Sequence, residues 1–334
     1  MKYFFFSCLI GLIILGSSPS KLDSVQAQDG LLESLVSLGY RQPDHFVKEV
    51  DSAQVQMGYE LITKGKTRQL NGKKGKFISK YFSCLSCHNT VQEDPDPSVS
   101  DPEARLSYAI ENNLPFLQAT TFKGIVSRES WYNDDYEKKY GDLVKPARHD
   151  LREAIQLCAT QCAQGRLLED WEMKAILHYF HSIDYKISEV LNEDEIQQMN
   201  FFASRGRQDE GISFLKSKYL SASPAHFGEL PESAKEGYPY TGDPQRGAAI
   251  FELSCQHCHR PEGESAQAFF FSELTFNMLE NSISGFDLFS FYPMIRKGTY
   301  AGPGHRPYMP HYPLERMSDQ QVEDLRAFIE QKAD

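Results

Sequence analysis

After its first fifteen residues this 334-residue chain has no apolar run long enough to cross a bilayer, which excludes a multi-span membrane protein. It has no excess of basic charge: 35 Lys and Arg stand against 46 Asp and Glu, a formal net charge of -11. A long-range attraction to nucleic acid or to anionic lipid is therefore not expected. Low-complexity tracts and fixed-period repeats are missing. Cysteine is scarce, seven in all, and tryptophan scarcer at two. What is present, 40% hydrophobic and 24% charged residues, suffices for two compact domains with buried cores.

The N-terminus reads as a secretory leader. Met1-Lys2-Tyr3 precedes an apolar run from Phe4 to Leu15, then Ser17, Ser18 and Pro19, and Val25-Gln26-Ala27 completes a small-residue cleavage pattern. Residues 1–27 are assigned to this signal peptide, with cleavage expected after Ala27. The run is too short to serve as a span, and Cys8 lies inside it rather than behind a lipobox. A periplasmic protein with no stable membrane span after cleavage is the expectation.

The cysteines carry the chemistry. Removing Cys8 leaves six, of which four fall into two pentads, Cys84-Leu85-Ser86-Cys87-His88 and Cys255-Gln256-His257-Cys258-His259. A c-type haem needs two thiols spaced to meet its two vinyl groups, followed at once by a histidine that reaches the iron; CxxCH supplies all three. A redox or zinc CxxC pair leaves His88 and His259 without a purpose. Two covalently bound haem c groups are expected, held by Cys84, Cys87 and His88 and by Cys255, Cys258 and His259, with the histidines as iron ligands. Only Cys158 and Cys162 remain.

One coarse pattern occurs twice: an apolar helix-like segment, CxxCH, a variable region and an amphipathic closing helix. Near the C-terminus Asp243-Pro244 forms an N-cap and first-turn pair, and Ile250 and Phe251 give the helix its apolar face. Ser318 with Gln321 makes a capping box ahead of a Val322, Leu325, Phe328, Ile329 stripe. In the first module Met57 to Ile62 opens, and Leu168, Trp171, Ala175, Leu177, Phe180 and Ile183 give the closing helix its buried side. The long insertion between, with Asp94-Pro95-Asp96-Pro97 and Trp131 to Tyr136, is expected to roof the first haem. The fold class expected is mainly α, with two cytochrome c-like haem domains, residues 28–190 and 242–334, joined by a connector over 191–241.

The opposite iron positions distinguish the modules. The segment from Gly298 to Pro310 ends in Met309-Pro310, nine residues ahead of Ser318, and here the chain resembles class I cytochromes c. That resemblance implies Met309 as the sixth ligand, the alternatives being a core methionine with His305 or His311 on the iron. No Met-Pro precedes the first closing helix. In its place Ile155-Gln156-Leu157-Cys158 leads to Gly165 and then Glu172, Met173 and Ala175, which resembles the N-terminal haem domain of thiosulfate dehydrogenase and, more distantly, the sulfur-oxidising cytochromes. The resemblance implies Cys158 as distal ligand. Gln161, Cys162 and Gln164 stand where that family has Arg, Ser and Asn. Cys162 as ligand, a Cys158–Cys162 disulfide, and the weaker candidates His149, His178 and Met173 stay open.

A thiolate stabilises ferric iron and a thioether ferrous iron, so electrons are expected to run from haem 1 to haem 2. The favoured function is electron transfer between periplasmic redox partners, whether other cytochromes or an oxidoreductase complex. The alternatives are a thiosulfate dehydrogenase-like enzyme for a small anionic sulfur substrate and a di-haem peroxidase. The basic stretch Lys64, Lys66, Arg68, Lys73, Lys74 and Lys76 reads either as a solvated loop or, with Arg166, as a rim that draws in an anion.

Overall fold

A computed structural model describes residues 24–222, 224–265, 267–299 and 309–334. The apolar leader run, Cys8 and His305 lie outside these residues. Among the described residues the regular structure is helical: α1 (Leu31–Ser37), α2 (Ser52–Lys64), α3 (Pro102–Asn112), α4 (Asp134–Tyr140), α5 (Val144–Ala147), α6 (Leu151–Leu157), α7 (Asp170–Ser182), α8 (Ile187–Val190), α9 (Glu193–Ser204) and α10 (Gln208–Lys216) precede the second motif. Around and after it come α11 (Pro244–Ile250), α12 (Gln256–His259), α13 (Glu273–Asn281), α14 (Phe291–Lys297) and α15 (Asp319–Ala333). No β-strand occurs among the described residues. The chain is mainly α, as its patterning requires.

The helix starts follow their caps. The Asp243 carboxylate accepts from the Gln245 N–H at 2.8 Å, and Ser318 and Gln321 close their reciprocal box at 3.1 and 3.0 Å. Val322, Leu325, Phe328 and Ile329 are buried as one stripe.

Each half is organised by one crossing of an opening helix over a closing helix. α2 crosses α7 at Gly58, where an added Cβ would stand 2.2 Å from the Ala175 carbonyl oxygen. α11 crosses α15 at Gly247, where it would stand 1.9 Å from the Asp324 carbonyl oxygen. Any side chain at either position drives the two backbones apart, so both crossings need glycine.

The halves are not separate bodies. Leu106, Ala109 and Phe116 belong by sequence to residues 28–190, yet they are buried in the core of the C-terminal half beside Phe251, Val322 and Phe328. The Gln321 side chain donates to the Pro102 carbonyl at 2.7 Å, and the Phe116 N–H to the Leu253 carbonyl at 2.9 Å. The insertion thus divides its work: α3 clamps the C-terminal half, while the parts after it, from Gln118 to Arg128 and from Trp131 to Tyr140, face the N-terminal site. The connector divides likewise. Its helices α9 and α10 bury Met199 and Leu215 against α1, whereas Ala234 and Tyr238 enter the C-terminal core.

The end of the expected leader is part of the fold. Val25 is buried, its N–H donates to the Asn200 side chain at 2.9 Å, and its carbonyl accepts from the same amide at 2.9 Å. Cleavage after Ala27 would remove this buried valine and both bonds.

Candidate haem sites and the contact between them

Both pentads are held in the same way. At the first, a short 3-10 turn over Cys84–Ser86 brings His88 round, and its Nδ1 lies 2.6 Å from the Thr120 carbonyl. A carbonyl can only accept, so Nδ1 carries the proton and Nε2 keeps the lone pair a metal needs. The ring lies against Phe122, with centroids 4.2 Å apart and planes 15° off parallel. Burial lowers the His88 pKa to about 4, which keeps the imidazole neutral. At the second, His259 Nδ1 lies 2.8 Å from the Gln267 carbonyl, and its ring stacks on Phe269 at 4.0 Å and 3°. In each case the accepting carbonyl stands two residues before the stacked phenylalanine.

The first pentad opens into a cavity with about 1450 Å³ of empty space, part of it open to solvent. Its walls are mostly apolar, among them Leu61, Phe122, Ile176 and Phe180, and Cys84, Cys87 and His88 lie in the lining. Cys158 and Cys162 line the same cavity. They form a π-helical turn that continues α6, a widening of the helix often found where side chains must be re-aimed at a site.

The two free thiols touch. A hydrogen bond from Cys158 is the main reason that the Cys162 pKa falls to about 7, with the Tyr140 hydroxyl and the Lys139 ammonium adding to it. Cys158, the donor, is pushed up. The other candidates drop out on position. His178 Nδ1 accepts from the Asp51 N–H, His149 bonds the Glu129 carbonyl on the surface, and Met173 is core beside Leu61 and Ile62.

Met309 is half-buried, its N–H bonded to the Thr299 hydroxyl and its carbonyl accepting from the Thr299 N–H, both at 2.8 Å. By sequence His311 is an alternative to Met309. It stands two residues beyond Met309, yet it lines the first cavity, tied to Lys139 Nζ at 3.0 Å, with its Nε2 buried and unpartnered. Arg166 is not free to draw in an anion, because Glu172 takes its guanidinium at 2.7 and 2.6 Å.

The pentads meet. His257 Nε2 lies 3.0 Å from the Leu85 carbonyl, Cys258 Sγ lies 3.7 Å from the Ser86 carbonyl, and the Ser86 hydroxyl donates to Glu264 at 3.2 Å. The spacer residues of each motif are the neighbours of the other.

Behind Thr120 lies a buried ion cluster. Glu93 pairs with Arg316 at 2.6 Å and Arg105 at 3.6 Å, all three no more than 3% exposed, and also accepts from the Thr121 N–H. Burial alone would raise the Glu93 pKa, but the two guanidiniums outweigh it and hold it at about 2. Stability from this group is present above an ordinary glutamate pKa of 4.5 and is lost as pH falls toward 2. Glu93→Gln is expected to cost roughly 3–5 kcal/mol, because it leaves two buried cations without their partner. Denaturant titrations between pH 7 and pH 3 check both statements (~4 pH points suffice to resolve the trend), the variant showing a weaker loss of stability in acid.

Comparison with known families now adds to the geometry. Residues 244–333 match the family model for Cytochrome c. The C-terminal half is a cytochrome c domain. No curated protein and no solved structure matches the chain. The matched span holds Cys255, Cys258, His259 and Met309, and it implies covalently bound haem, iron and an electron-transfer role with redox partner proteins. Relative to this cytochrome c domain, the N-terminal half reproduces the glycine crossing and the stacked histidine. It does so with the carbonyl partner 32 positions beyond the histidine rather than 8.

Proposed function

We propose that the chain is an exported di-haem electron carrier of the periplasm, with a lower-potential haem 1 at Cys84, Cys87 and His88 and a higher-potential haem 2 at Cys255, Cys258 and His259. The observation that carries it is the shared presentation of His88 and His259: each has Nδ1 spent on a backbone carbonyl, a phenylalanine beneath it, and two thiols in place. The residues fit the group. Nε2 faces a large apolar cavity, the thiols stand at its edge, and a second sulfur donor lies in the same cavity.

Haem, when bound, supplies reversible one-electron storage at iron. The protein decides the rest. Thr120 and Gln267 orient the imidazoles, and apolar walls line most of the N-terminal site. On binding iron Cys158 would give up the proton it donates to Cys162 and offer haem 1 a thiolate, which favours the oxidised state, while Met309 would offer haem 2 a thioether, which favours the reduced one. Those two choices give the direction, from haem 1 to haem 2. The contact of Leu85 and Ser86 with His257 and Cys258 keeps the path between the attachment points to a few ångströms.

A thiosulfate dehydrogenase-like reading would use haem 1 as the reacting centre. The commitment of Arg166 to Glu172 removes one of the cations it needs, so the carrier reading stands ahead. We read the leader as ending ahead of Ser24, since Val25 and Ala27 are bonded into the fold.

Intact mass of the exported chain tests the haem count and the leader together. Two haem masses on a chain that keeps Val25 are expected; one haem mass sinks the di-haem reading. Thiosulfate added to the ferric protein is expected to leave the α-band unchanged, and bleaching or reduction would favour the enzyme.

A further inference from the structure

The ion cluster is out of balance. Arg105, Arg128 and Arg316 bring three guanidiniums to one small region, and the single carboxylate of Glu93 is shared by two of them, Arg316 at 2.6 Å and Arg105 at 3.6 Å. Arg128 lies in the wall of the large cavity, bonded to the Thr120 hydroxyl and the Thr121 carbonyl, and among the described residues it has no carboxylate at ion-pair distance. Arg316 stands beside it in the same wall. Buried cations in excess require an anion, since an unpaired charge out of water is among the costliest features a fold can hold.

A second, smaller cavity adjoins the first at this point. It has about 450 Å³ of empty space and shares Thr120, Arg128, Pro224 and Arg316 with its neighbour. Its other walls include Asp94, Thr121 and Tyr185. Asp94 does not settle the account: its Oδ1 is buried without a partner, and burial raises its pKa to about 6 even though Arg316, Arg105 and Arg128 pull it down. With Asp94 ionised one positive charge is left over, and with it protonated two.

We propose that Arg128 and Arg316 form a carboxylate cradle, opening from the large cavity into the small one, that takes the propionates of a haem attached at Cys84 and Cys87. The two propionates of a haem stand on the edge away from its thioether bonds, so a group fixed by its vinyl edge must send two carboxylates to another wall. The cradle is the polar wall available, and two carboxylates match its excess. This rests on the N-terminal pentad carrying haem. The cradle sets the potential of haem 1 as well as its seat, because a buried cation near the iron favours the added electron.

The test uses the full haem-loaded protein and two substitutions that alter the cluster's charge in opposite senses. Arg128→Gln removes a cation and is expected to lower the haem 1 midpoint potential. It should also shift the propionate carboxylate bands in redox-difference infrared spectra, with haem 2 unchanged. Asp94→Asn, measured above pH 7 so that the native aspartate is ionised (~1 unit above its pKa of about 6), removes an anion and is expected to raise the potential. The groups facing Asp94 are Glu93, Arg105, Arg128, Arg316 and Tyr185, and none of them changes in that variant. A pocket merely loosened by substitution would move both variants the same way. Two haems per chain, with the haem 1 potential and bands unmoved or both variants shifting in one direction, overturns the cradle alone. One haem per chain overturns the di-haem reading and the cradle with it.

Discussion

Cys84→Ala combined with Cys87→Ala is expected to yield a protein with one haem, at Cys255 and Cys258, and a destabilised N-terminal half. The reason is the size and character of the first cavity. The hollow is lined mainly by apolar side chains from α2, α6, α7 and the C-terminal half, and such a surface is stabilised by an apolar group that covers it. Removing single large side chains from a core already costs about 3–5 kcal/mol, rising with the cavity left behind. Losing the tethered group should cost at least as much. Intact mass reads the missing haem. Thermal unfolding followed by helical circular dichroism should split into two transitions, the lower belonging to the N-terminal half. A variant that keeps two haem masses, or unfolds in one unshifted transition, would show that this pentad does not hold the group.

Cys158→Ala is expected to abolish a thiolate-type low-spin ferric EPR signal and to raise the haem 1 midpoint potential. The cause is electrostatic: a thiolate donates negative charge to iron and stabilises the ferric state, and the alanine variant removes it. Cys162→Ala is the control. It removes the hydrogen-bond partner of Cys158 but leaves the sulfur expected on the iron, so the signal should persist with altered g-values. The reverse pattern, with the signal lost only in Cys162→Ala, would assign the ligand to Cys162. Persistence in both variants would exclude a cysteine ligand.

Much of the chemistry was legible along the chain because covalent attachment and helix capping need residues close in sequence. The two CxxCH pentads, the Asp243 cap, the Ser318–Gln321 box and the Val322 to Ile329 stripe are contiguous devices, and each stands where its spacing places it. Contacts made across the fold left no such trace. Thr120 and Phe122 serve His88 from within the insertion, on the far side of α3, so nothing near the pentad marks them. Gln267 and Phe269 do the same for His259 from a short loop, and their role too emerges only when the ring is seen between them. Arg128 and Arg316 are 188 positions apart by their residue numbers and meet in one wall.

The sequence by itself determined which chemical groups stand together along the chain: two pentads, two histidines, one Met-Pro and a leftover cysteine pair. Tertiary structure decided how these parts face one another. It set the Leu85 and Ser86 backbone against His257 and Cys258, put His311 in the cavity of the other half, and sent α3 into the C-terminal core. The physical reason is the range of the forces involved. A thioether bond and a helix cap are satisfied within a few residues. Burying α3 and Phe116 satisfies an apolar surface that any complementary face could cover, and only the folded chain selects which one does.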